Sequence, residues 1–145
     1  LGKSAHLWPE WLYKLISKIH TRIMKFNHTN LGEKILGDHI LLLETIGKKT
    51  NQVRKTPLTY ANHKNDFIVA ASYSGNDKTP DWFHNLSTYN PYITIDNVRF
   101  EATYELIDTS EKEYYWGLLD EVYPTFQMYR NRTSRDIPLI KFTKA

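Results

Sequence analysis

Three short groups of residues carry the side chains with which this chain could do chemistry. Arg54-Lys55-Thr56 stands directly before Pro57, and Ser72-Tyr73-Ser74-Gly75, with Lys78 close behind, precedes Thr79-Pro80. Tyr123, Phe126 and Tyr129 recur every three residues near the C-terminal end. Cations beside the backbone amides of a helix start suit a phosphate or carboxylate. Aromatic rings three residues apart share a helix face and can stack on a planar ring. Each group also has an ordinary use, as surface charge, plain turn or core packing. Their joint occurrence is more suggestive of a binding site than any one of them alone.

Other chemistries lack their residues. The chain has no cysteine, which removes disulfides, thiolate zinc sites, iron–sulfur clusters and cysteine nucleophiles together. The six histidines, at 6, 20, 28, 39, 63 and 84, show neither i, i+4 pairing on a helix nor carboxylate company, so no metal centre is expected. There is no strand-to-helix GxGxxG and no GxxxxGK[ST], and Ser74-Gly75 lacks the leading glycine of a serine nucleophile elbow. This residue set is compatible with a site where a redox cofactor brings the reactivity and the protein binds and orients it.

The elements that must position these groups fit in one domain, because 145 residues leave no room for a second core. With 41% hydrophobic and 24% charged residues the composition is that of a folded globular chain, and no apolar run approaches the ~20 residues of a spanning helix. The absence of cysteine fits a reducing cytosol, so a cytoplasmic location is expected. The net charge of +3 hides a polarity. Residues 1–66 carry 11 Lys+Arg against 5 Asp+Glu, residues 67–124 carry 3 against 10, and residues 125–145 carry 5 against 1. Such polarity can serve an anionic ligand, an acidic membrane surface or nucleic acid. No recognised nucleic-acid module is present, and nucleic acid is not an expected partner.

Trp8, Trp11, Leu12, Leu15, Ile16, Ile19 and Ile23 follow one helical face, opposite Lys14, Lys18, Arg22 and Lys25. The spacing predicts a basic amphipathic helix within residues 1–30. Its uses are packing on its own domain or, through residues 8–25, peripheral contact with an anionic membrane at the inner face. From 38 to 143 the pattern is mostly extended. Strands are expected over 39–46 and 53–60 around a hairpin loop at 47–51, then over 66–73, 92–98, 100–107 and 137–142. Thr79-Pro80 predicts a capped helix over 81–89, and Ser110 with Glu113 predicts a capping box for a helix over 111–122. Pro124 restarts a short helix to about residue 131. Five or six antiparallel strands with helices at the ends and one inserted midway predict an α+β fold, a small barrel with a helical cover.

In order and spacing, several stretches resemble the deazaflavin-dependent nitroreductases, a family that uses coenzyme F420. They are Gly47-Lys48-Lys49-Thr50, Arg54-Lys55-Thr56-Pro57-Leu58, Val69 to Gly75, Pro80 to Leu86, Phe100-Glu101-Ala102, Trp116, Tyr123-Pro124 with Tyr129, and Thr133 to Pro138. The resemblance covers about residues 43–141. It implies a split β-barrel with the deazaflavin in a groove beside it, and hydride transfer to an electron-poor acceptor such as a quinone or a nitroaromatic. By analogy Arg54, Lys55 and Thr56, beside Pro57, would hold the phosphate and the anionic glutamate tail, assisted by Lys78. Ser72, Tyr73, Ser74 and Gly75 would line the ribityl chain and ring, while Trp82 and Asn85 sit on the helix that fixes that loop. Tyr123, Phe126 and Tyr129 would wall the substrate side, with Tyr123, Tyr129 or Ser72 as proton donor. One departure stands out: members active on nitro compounds often carry tyrosine where this chain has Phe126. The barrel relatives also include binders of FMN, FAD, haem and fatty acids, so a flavoprotein or a non-catalytic carrier is the alternative, and either a monomer or a homodimer is consistent with the residues.

Overall fold

The computed structural model describes residues 39–145. The expected amphipathic helix, and with it any membrane contact through residues 8–25, lies outside the described residues. Seven strands follow: β1 (Ile40–Ile46), β2 (Val53–Thr59), β3 (Ala61–His63), β4 (Asp66–Ala70), β5 (Tyr92–Ile95), β6 (Val98–Leu106) and β7 (Leu139–Lys144). Three helices accompany them: α1 (Asp81–Asn85), α2 (Lys112–Val122) and α3 (Phe126–Arg132). All pairings are antiparallel, in the order β2-β1-β5-β6-β7-β4-β3.

Chain connectivity curls this sheet. β2 and β3 stand at opposite ends of the strand order, yet only Tyr60 separates them in sequence. The two edges must therefore meet at Tyr60, and a flat sheet cannot satisfy that. Tyr60 is buried, its amide donates to the His39 carbonyl, and its ring makes edge contacts with His39 and Phe67. The turns agree with the twist: Asp96 and Asn97, both with positive φ, form the two-residue turn between β5 and β6.

Two apolar layers hold the barrel. Inside lie Leu41, Leu43, Val69, Ile93, Ala102, Ile140 and Phe142, with Trp82 and Leu86 from the α1 region as a plug. Outside, Ile68, Ala70 and Leu139 turn their side chains to Tyr115 and Leu119 of α2 and to Phe126 of α3. β4 is thus covered on both faces, which is why its sequence is a continuous apolar run instead of an alternating one.

Several boundaries differ from the sequence expectation, each for a local reason. β3 is an additional short strand split from the expected 53–60 and 66–73 runs by Tyr60 and by the turn at Lys64. The expected strand 66–73 stops at Ala70, because the amide of Ala71 donates to Pro138 and the carbonyls of Ala71 and Ser72 accept from Arg135. The last strand correspondingly starts at Leu139. Thr79 does not cap α1: Pro80 occupies the N-cap in an extended conformation, and the helix ends at Asn85. Nor does the Ser110–Glu113 box form. The Asp108 carboxylate instead accepts from the amide and hydroxyl of Ser110, capping a 3-10 turn that feeds α2.

Candidate functional site

The chain leaving β4 enters a tight turn in which Tyr73, Ser74 and Gly75 are all left-handed, with φ of 45°, 53° and 79°. Such a run is costly for tyrosine and serine and persists only where surroundings impose it. Here the surroundings are the C-terminal segment. A Cβ on Gly75 would fall 2.7 Å from the Tyr129 carbonyl oxygen and 2.9 Å from Arg132 Cβ, so the turn lies directly on α3. Arg132 donates to the Ser74 carbonyl at 3.3 Å. Arg135 donates to three more carbonyls, those of Asn76 at 2.8 Å, Ala71 at 3.0 Å and Ser72 at 2.9 Å. Thr133 Oγ1 donates to the Asp77 carboxylate at 2.8 Å.

Beside the turn, the hydroxyls of Tyr123 and Tyr129 lie 3.2 Å apart. Burial, and next the hydrogen bond with Tyr123, push the Tyr129 hydroxyl up to about 12. It therefore stays protonated across the physiological range. Phe126 is buried beneath both rings, in edge contact with each and with Trp116. It forms the floor of the pair and not an open wall, because α2 covers its other side.

The Arg54 group is placed on edge strand β2. Arg54 and Thr56 pair across from Thr45 and Leu43, so they share the barrel-side face, whereas Lys55 pairs with Glu44 on the opposite face. Pro57 falls on the Lys55 face, at the edge where its missing N–H is harmless. Both cations are exposed, and Arg54 Nη2 lies 3.5 Å from Thr50 Oγ1 in the hairpin loop. Lys78 is exposed as well, its amide donating to the Asn76 side chain. Trp82 and Asn85 are buried, and Asn85 accepts from the Lys48 amide at 2.9 Å while its Nδ2 lies 3.5 Å from Thr45 Oγ1. Asn85 thereby ties α1 to the hairpin that carries Arg54.

The structure thus joins Ser72–Gly75 with Tyr123, Phe126 and Tyr129, and joins Arg54 to α1 through the 47–52 loop. Sequence reasoning passed over Arg132, Thr133 and Arg135 as parts of the site. Their sequence signals were a cluster of arginines after a short helix, which reads equally well as surface charge, and the place of Thr133 and Arg135 in the Thr133 to Pro138 stretch of the resemblance. Two buried donors there, Arg132 Nε and Arg135 Nη1, have no protein partner. Orphaned cationic donors beside a strained turn suit an oxygen-rich ligand. Among the described residues no group of three or more His, Asp or Glu converges on a metal position.

The described residues thus form a curled antiparallel split barrel whose left-handed turn lies beside a pair of tyrosine hydroxyls. The F420H(2)-dependent quinone reductase family matches residues 16–143. The F420H(2)-dependent quinone reductase of Mycobacterium tuberculosis is 34% identical over 134 residues, 88% of this chain and 89% of that protein. Among solved structures, an F420-H2 dependent reductase, FDR-A, superposes with a TM-score of 0.64 at 27% identity over 71% of this chain and 92% of that one. A second, described as a domain-swapped dimer, does so at 0.66 and 25% over 92% and 97%. The chain belongs to the F420H(2)-dependent quinone reductase family. It is an oxidoreductase whose cofactor is coenzyme F420.

Proposed function

We propose that this chain reduces a quinone with reduced F420 at the Ser72–Gly75 turn, and that Tyr129, backed by Tyr123, is the proton donor. The hydroxyl pair at 3.2 Å beside the left-handed turn carries this reading. Bound there, F420 in its reduced form supplies a hydride. A quinone accepting one hydride needs one proton to become the hydroquinone. Tyr129 Oη holds that proton at every physiological pH, and Tyr123 Oη is within reach to replace it. Arg54, Lys55 and Thr56 hold the phosphate and acidic tail, Lys78 assists, and Ser72 to Gly75 line the ring. Phe126, Trp82 and Asn85 support these groups from beneath. With β2 an edge strand, Arg54 and Lys55 can grip the tail from its two faces.

The test is anaerobic mixing of the protein with reduced F420 and a water-soluble quinone, following return of the oxidised absorbance. Oxidation above the protein-free rate is expected, and its absence sinks the reading. Tyr129→Phe should lower kcat by ~10²-fold, the low end for a positioned proton donor, with cofactor affinity nearly unchanged. Nitroaromatics are the second acceptor class to try. The basic amphipathic pattern of residues 8–25 supports peripheral contact with anionic membranes, where quinones reside. Co-sedimentation with anionic liposomes that disappears on deleting residues 1–27 is the expected outcome; equal partitioning with and without anionic lipid would end that proposal.

A further inference from the structure

We propose that Arg135 is a positioning residue for the reaction: its guanidinium holds the Tyr73–Gly75 turn in the left-handed form that presents it to F420 and to Tyr129. The inference rests on the functional reading above. Arg135 contacts no reacting atom in it and acts through the turn.

Three carbonyls along one short loop, those of Ala71, Ser72 and Asn76, converge on a single planar side chain 59 to 64 residues away in sequence. A rigid guanidinium fork can serve several carbonyls at fixed angles, which a lysine ammonium on a flexible stem cannot. The bonds bracket the strained residues on both sides, with Ala71 and Ser72 before them and Asn76 after. Arg132 adds a bond to Ser74 inside the bracket, and Thr133 to Asp77 beyond it. Without these bonds nothing in the local sequence favours φ above zero at Tyr73 and Ser74. An extended or right-handed relaxation there would lift Gly75 from α3, where it has no space for even a Cβ against Tyr129. The same guanidinium therefore sets both the cofactor turn and its register against the tyrosine pair.

The experiment compares wild type with Arg135→Ala and Arg135→Lys, and with Arg99→Ala as a control that removes a surface arginine bonded to Glu44 and stacked on Tyr92. F420 affinity is read by fluorescence titration, turnover with a soluble quinone by absorbance, and amide hydrogen exchange on the protein alone. Arg135→Ala should weaken F420 binding at least tenfold and leave the quinone KM within twofold. Exchange should quicken across residues 71–77 but not in β1 or β6. Added guanidinium should restore much of the affinity in Arg135→Ala and do nothing to wild type, and Arg135→Lys should fall between. Wild-type affinity and unchanged exchange in folded Arg135→Ala would overturn the proposal. So would a loss that guanidinium does not reverse and that Arg99→Ala reproduces. If Arg135→Ala does not fold, Arg135→Lys decides by the same affinity and exchange criteria. Wild-type protein that binds no F420 at all would instead overturn the functional reading, while the exchange arm still reports on the clamp.

Discussion

Tyr129 shows how one hydroxyl acquires its role from its surroundings. Burial raises it most and the bond with Tyr123 adds to that, so its proton is held more tightly in the folded chain than in the unfolded one. A group whose folded pKa lies above its unfolded value contributes stability that is complete below the unfolded pKa and lost as pH climbs towards the folded one. Between about pH 10 and 12 the wild-type protein should therefore lose stability more steeply than Tyr129→Phe, measured by chemical denaturation at several alkaline pH values. Asn85 works differently. Its side chain accepts the Lys48 amide and lies beside Thr45 within the barrel. Replacing it with alanine leaves that amide and the Thr45 hydroxyl unsatisfied, so a loss of about 1–3 kcal/mol is expected in urea unfolding. F420 affinity should fall as well, because the hairpin bearing Arg54 is no longer tied to α1.

At the scale of elements, α2 and α3 convert a sheet into a site. α2 presents Tyr115 and Leu119 to Ile68, Ala70 and Leu139, and so covers the outer face of β4 and β7. α3 is locked to α2 by Arg130, which makes a two-pronged bond to Asp120 at 2.9 and 2.7 Å and stacks on Trp116. The arginines at 130, 132 and 135 are thus engaged with carboxylate, carbonyls and rings. Leu119→Ala opens a cavity in this outer layer and should cost about 2–5 kcal/mol. Because α3 rests on α2, the same variant should also bind F420 more weakly, a coupling that calorimetry with and without cofactor can check.

The whole molecule is organised by one closure. β2 and β3 form the two ends of a seven-strand sheet joined through Tyr60, so the barrel cannot open without pulling this residue from the core. Tyr60→Ala should destabilise the protein by about 3–5 kcal/mol, the range for loss of a buried aromatic ring. If the barrel and its helical cover form one cooperative unit, far-UV dichroism and tryptophan fluorescence should report the same midpoint in that variant. Among the described residues no helix is long and apolar enough to cross a membrane.

Local sequence determined what depends on near neighbours. Alternation marked β5 and β6, although the expected strand 92–98 ran through the Asp96-Asn97 turn, whose residues tolerate positive φ, and the three-residue spacing of Phe126 and Tyr129 put them on one face of α3. The motif order around Arg54, Ser72 and Trp82 was enough to recognise the family. Tertiary structure decided the rest, wherever a partner lies far along the chain. The end of β4 at Ala70 and the left-handed conformation of Tyr73 and Ser74 depend on Arg135 and α3, some 60 residues on. Caps at Thr79 and Ser110 had the right residue types but lost to Pro80 and Asp108. Which of Arg54 and Lys55 takes the barrel-side face follows from strand register, and the burial of Phe126 follows from the packing of α2. Both are long-range outcomes, since a side chain's face and its cover are set by the strand or helix packed against it, which its own neighbours in sequence do not specify.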